Sequence, residues 1–212
     1  MTLITKEELE KRRTPSQLQE FVANVRKRVE ADSEQLRLGR RKKGLYKEFV
    51  DEIVPLADFA PHIYPDDVFL QPVIGNQGYD AIVFDNSGAE IDRIEIAKPY
   101  DGKKVSKDND LLEDRGYGAI NIYDLGFGEE LEMLASWIDR SANSKALKDY
   151  SDYTLVIVAA LESLPHEEIA ATERRAEILQ AKLSTVRFRA KRVFLAVPAL
   201  KRCYEISFIR NY

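Results

Sequence analysis

The sequence predicts an α/β fold with a mixed central sheet, a hairpin plus parallel strands, flanked by helices and preceded by a helical arm. Three observations point to it. Leu18, Phe21, Val22, Val25 and Val29 recur at helical spacing near the N terminus. Two short apolar segments are joined by Asp85-Asn86-Ser87-Gly88, a hairpin turn signal. Later in the chain, apolar strand segments alternate with helical ones, which favours parallel pairing.

Taken in order, Thr5 with Glu8 and Thr14 with Gln17 have capping-box spacing, and Pro15 suits a first helical position. A helix is expected over 15–38. Gly39 and the basic run to Gly44 read as a loop. A second helix is expected over 45–59, with Leu45, Phe49, Ile53 and Leu56 on one stripe and Pro55 as a kink or a stop. Residues 62–67 follow Pro61, contain Pro65 and read as loop. Strands are expected over 68–74, 79–84 and 91–97. Residues 98–110 are polar and loop-like, 111–115 a short helix and 119–125 a short strand. A helix over 129–139 and a further turn from Ala146 toward Tyr150 come next. The apolar run from Tyr153 to Leu161 suits a central strand. A helix opened by Ser163, Pro165 and Glu167 should reach Leu183, followed by strands over 193–197 and 204–209.

With 212 residues, 44% hydrophobic, the chain can bury the core of one domain. The division expected is an arm over 1–43 and an α/β domain over 44–212. The longest apolar run, Leu155 to Leu161, is far short of the ~20 residues that cross a bilayer. The first residues, MTLITKEELEKRR, lack an apolar signal core. One cysteine, Cys203, rules out an internal disulfide and a cysteine-based zinc site, and its strand context suits a buried thiol. A cytoplasmic location without a membrane partner is the expectation.

The net charge of -4 is unevenly spread. Residues 26–47 hold nine basic and three acidic side chains, and residues 182–212 hold eight and one, so the acids concentrate in the middle. That layout either frames an anionic substrate around an acidic centre or is a set of solvated faces.

The acids that matter are in the hairpin. A turn centred between Ser87 and Gly88 sets Asp80 opposite Glu95, with Cβ atoms ~5 Å apart. Two carboxylates so close repel and need compensation. A hard divalent cation, Mg²⁺ or Mn²⁺, is one compensator. Solvent at a sheet edge, or a bulge that breaks the register, is another.

These residues resemble the PD-(D/E)XK, or restriction-endonuclease-like, nuclease superfamily. Asp80 in GYDAIVFD and Glu95 to Lys98 in IEIAK match its hairpin motif, and Glu48 or Glu52 in YKEFVDEI matches its helical acid. The resemblance spans about residues 45–197. It implies that Asp80 and Glu95, with the Ile96 carbonyl, hold Mg²⁺ or Mn²⁺ for phosphodiester hydrolysis in DNA or RNA, that Glu48 or Glu52 completes the shell, and that Lys98 orients water. Arg40, Arg41, Lys42, Lys43, Arg187 and Arg189 would grip the nucleic-acid backbone. Two departures stand out. Tyr79 replaces the motif proline, and Ala97 occupies the usual lysine position, so alternation sends Lys98 to the opposite face unless a bulge re-aims it. Lys145 or Lys148 is a substitute. Without one, the alternative is a catalytically degenerate member that binds nucleic acid or protein. A third reading has an exposed apolar stripe on the N-terminal helix packing on a partner or on a second copy as a homodimer.

Other signals are thin. Gly126-Phe127-Gly128 before a helix lacks the remaining glycine and the lysine of phosphate loops, and the acids after it oppose a phosphate. His62 and His166 are isolated, and no nucleophile elbow is present. Trp137 falls on a core stripe. Tyr100, Tyr117 and Tyr123 are packing residues or base-stacking candidates.

Overall fold

The structure, a computed structural model, describes residues 3–99, 127–159 and 169–208. The strand expected over 119–125, the helix over 111–115, the loop from Tyr100 to Asp110, the helix opening at Ser163, and Tyr100, Tyr117, Tyr123, Gly126 and His166 lie outside these residues.

Among the described residues, six strands form one open mixed sheet in chain order: β1 (Phe69–Pro72), β2 (Ala81–Phe84), β3 (Glu90–Ala97), β4 (Tyr150–Val158), β5 (Ala190–Val197) and β6 (Arg202–Glu205). β1, β2 and β3 pair antiparallel, β3, β4 and β5 pair parallel, and β6 returns antiparallel. Side-chain alternation divides the core between the two sheet faces. Ile94, Ile96, Val156, Val158, Phe194 and Ala196 pack against the N-terminal helices. Ala97, Leu155, Ile157, Val193, Leu195 and Val197 pack against the two later helices.

The helix expected over 15–38 is two helices. α1 (Lys6–Leu9) precedes α2 (Pro15–Glu30), which carries the complete Thr14/Gln17 capping box, and α3 (Ser33–Arg40) follows. The break is at Asp32, whose carboxylate accepts the N–H groups of Glu34 and Gln35 and so starts a new helix. The apolar stripe of α2 does not face outward. Leu18, Val22, Val25 and Val29 are buried in the chain's own core, on the same side as Phe49, Ile53 and Leu56. The surface on which the homodimer reading rested is therefore covered by the chain itself.

The second helix runs beyond 59. α4 (Tyr46–Glu48) leads into a π-helical turn (Phe49–Ile53), then α5 (Val54–Ile63). The Val54 N–H donates to the Phe49 carbonyl, the wider bond of a π turn. Pro55 directly follows the π turn, inside a helix that runs unbroken from Tyr46 to Ile63, so it does not stop the helix. α6 (Phe127–Ala146) and α7 (Ile169–Ser184) cover the opposite face. α6 is longer than the expected 129–139, and the segment before Tyr150 belongs to it and to a turn. Trp137 packs against that core as expected.

The hairpin follows its predicted register for Ala81 with Ile94, Ile82 with Arg93 and Val83 with Asp92, then shifts so that Phe84 meets Glu90. The bulge follows from the turn. Asp85 accepts from Ser87 and from the Ala89 N–H, and Gly88 takes a φ of 86° that favours glycine.

Candidate functional site

Asp80 lies one residue before β2, in a bend. Its N–H donates to the Ile94 carbonyl at 2.7 Å, and its own carbonyl accepts from Val73. The ladder therefore ends at Ala81 with Ile94, and Asp80 is not a regular partner of Glu95. Its carboxylate turns onto β3 instead, where Oδ2 accepts the Ile96 N–H at 2.7 Å. Glu95 still lies near enough to repel it. Burial first, then the Glu95 charge, push the Asp80 carboxyl up to about 6.

Glu95 is 8% exposed and faces the α6 side of the sheet. The Lys145 ammonium, from the last turn of α6, forms an ion pair with Glu95 Oε1. The Tyr150 hydroxyl, at the start of β4, reaches the same oxygen at 3.4 Å. Burial works against the charged ammonium, but the Glu95 hydrogen bond and charge outweigh it and hold Lys145 above the ordinary lysine value. Asp80 Oδ1 and Glu95 Oε2 accept no hydrogen bond among the described residues.

The other expected members divide. Lys98 points to the opposite face, as alternation requires. Its ammonium lies 3.6 Å from Asp51 and 3.5 Å from the Val50 carbonyl, and burial lowers its pKa. It does not join Glu95. Asp51 is also bound by Lys42 at 2.6 Å. Glu52, on the π turn, does sense Asp80. Burial, then the Asp80 charge, raise its carboxyl to about 7, with Lys47 opposing. Glu48 adds to that repulsion, and its Oε2 is buried without a hydrogen-bond partner. Successive helical residues point about 100° apart, so two adjacent acids go different ways, Asp51 to the lysines and Glu52 toward Asp80.

The basic residues do not form one surface. Arg40 and Lys43 are exposed, Arg41 is buried, and Lys42 is engaged by Asp51. Arg187 is exposed and Arg189 pairs with Asp149 at 3.0 Å. The Lys42–Asp51–Lys98 group lies past the C-terminal end of β3, whereas Arg187 and Arg189 precede parallel β5. The two basic segments therefore sit at opposite ends of the parallel strands, not around one acidic centre.

Among the described residues, Tyr79, Tyr150 and Tyr153 form an aromatic cluster beside Asp80 and Glu95. Tyr153 meets Tyr79 and Tyr150 edge-on or tilted, each with ring centres 5.8 Å apart, and the Arg93 guanidinium lies 5.2 Å from the Tyr79 ring. Lys47, Tyr150 and Tyr153 carried no sequence signal, because their approach depends on register between distant elements.

Among the described residues, no three His, Cys, Asp or Glu side chains converge as a metal cage. The donors that suit a hard cation are two carboxylates, each with one uncommitted oxygen. Cys203 is half-buried, and burial pushes its thiol up to about 12, so it acts as an apolar side chain. No described helix is long and apolar enough to cross a membrane. No family model, curated protein or solved structure matches the chain.

Proposed function

We propose that the chain hydrolyses phosphodiester bonds in DNA or RNA with a divalent cation, Mg²⁺ or Mn²⁺, held by Asp80 and Glu95. One observation carries the reading: two repelling carboxylates, each with a free oxygen, beside a lysine that another helix delivers. Ile96 supports it, since N–H and C=O of one strand residue leave on the same edge, and its N–H meets Asp80. A bound cation would lower the pKa of a coordinated water and offset charge on the phosphate. Lys145 would supply the positive charge that Ala97 cannot, neutralising the phosphate oxygens at the Glu95 end. Glu52, raised to about 7, is poised to exchange a proton near neutrality.

A second reading is favoured by the same ion pair. Lys145 already neutralises Glu95, and Asp80 already caps Ile96, so the arrangement is self-sufficient as structure. In that reading the chain is a catalytically degenerate binding module.

The test is cleavage of plasmid, single-stranded DNA and RNA in Mg²⁺ and in Mn²⁺. The hydrolase reading expects cleavage by wild type and by Lys98→Ala, and loss in Asp80→Ala and Lys145→Ala. Cleavage that survives Asp80→Ala sinks it. Salt-dependent nucleic-acid binding without cleavage selects the second reading.

A further inference from the structure

A cavity lies on the face of the sheet that the N-terminal helices cover. It measures about 550 Å³ and opens between α2, α5 and the turn after β5. Its floor is apolar, from Pro55, Phe59, Val158 and Ala196. Its rim carries Arg26, Asp58, His62, Lys201 and Arg202. Val158 and Ala196 are near the C-terminal ends of parallel β4 and β5.

The rim is not explained by structure alone. Among the described residues, no hydrogen bond or close ion pair occupies the side chains of Arg26, Asp58, His62 or Lys201. Arg26 and His62 act on Asp58 only through their charge. Arg202 is held by Glu173 at 2.6 Å. Lys201 also adopts a left-handed backbone, φ 50°, at the end of the short turn from Pro198, where glycine would be unstrained. A strained lysine, two arginines and an uncommitted carboxyl thus surround an apolar floor. Ligand pockets of this size commonly combine such a floor with a few convergent polar groups.

We propose that this cavity binds a small organic anion of mononucleotide size. Its anionic group meets Arg26, Lys201 and Arg202, its flat apolar body lies on Pro55 and Phe59, and a donor N–H faces Asp58. The site is independent of the hydrolase reading, because none of Asp80, Glu95, Glu52 and Lys145 lines the cavity.

Titration calorimetry on the full chain at low salt, with AMP, adenosine and inorganic phosphate as probes, tests it. AMP should bind more tightly than either fragment. Arg26→Glu and Lys201→Glu, both at exposed positions, should each weaken AMP about tenfold or more, the loss of one good ionic contact. Lys201→Gly should weaken AMP while raising the melting temperature, because it removes the charge and the strain together. Asp80→Ala should leave AMP affinity unchanged. The proposal fails if AMP gives no heat up to about 5 mM, beyond weak millimolar binding. It fails equally if adenosine or phosphate matches AMP, if Arg26→Glu and Lys201→Glu change nothing, or if Asp80→Ala abolishes the binding.

Discussion

Lys145 and Glu95 are 50 positions apart in sequence, and the last turn of α6 brings the lysine onto the carboxylate. A lysine at 97 would share the face of Glu95 and compete for the same oxygen.

Removing Lys145 should be costly and informative. Lys145→Ala leaves Glu95 buried and unpaired beside Asp80, and the expected loss is about 3 kcal/mol, the low end for breaking a buried pair because Lys145 keeps some exposure. Urea unfolding at pH 7 measures it. If Glu95 also serves a cation, Mn²⁺ should raise the melting temperature of Lys145→Ala more than that of wild type. An equal or smaller shift in the variant speaks against a cation at Glu95.

The raised carboxyls of Asp80, about 6, and Glu52, about 7, give a signed pH effect. Each folded pKa lies above its unfolded value, so the folded state holds its protons more tightly. Their contribution is fully present below about pH 4 and is lost as pH rises through 6 and 7. Asp80→Asn should therefore stabilise the chain at pH 8, by about 1–2 kcal/mol after allowance for partial exposure, and change little at pH 4. Denaturant midpoints across pH 4–8 check this. Divalent-ion affinity should run the other way and fall as pH drops from 7 to 5, because a protonated Asp80 is a poor ligand.

Lys98 should be dispensable for the acidic site. Lys42 remains on Asp51 when Lys98 is lost, so Lys98→Ala should cost no more than about 1 kcal/mol. Its Mn²⁺-induced thermal shift should equal that of wild type. A Lys98→Ala variant with normal stability but no shift would place Lys98 in the site after all.

A buried polar network at the other end of β3 offers an internal control. Asp92 accepts from the Tyr64 hydroxyl at 2.8 Å and the Thr154 hydroxyl at 2.7 Å, and Lys191 lies 3.3 Å away. Burial, then the Asp92 charge, raise the Tyr64 phenol well above its usual range, so it stays a donor. Tyr64→Phe should cost about 1.5–3 kcal/mol, as for a hydrogen bond to a charged group. That loss, seen by urea unfolding, should be independent of added Mn²⁺.

How far the sequence could be read depends on the range of the interaction. The Thr14 cap, the Asp85 turn and the Ala81-to-Val83 register are local, and each was legible from a few adjacent residues. The facing of Lys98 was legible too, because strand alternation fixes it. The break at Asp32 was readable in principle, since an aspartate ahead of serine is a helix start, but the long apolar stripe masked it. The π turn was not placed by the sequence, although Pro55 stands just after it. Asp80 was expected in the ladder and stands just outside it, because its carboxylate competes with a backbone partner for the Ile96 N–H. Lys145 was only one of two named lysines, since nothing local says how far α6 extends.

The sheet order has a consequence for assembly. Every described strand lies beside the described strand that precedes it in the polypeptide, from β1 through β6. Long-range strand insertions, which slow folding through loop closure, are absent from such an order. A ribosome releasing this chain from its N terminus would add each of the described strands to an edge already built, with no gap among them held open for a later arrival.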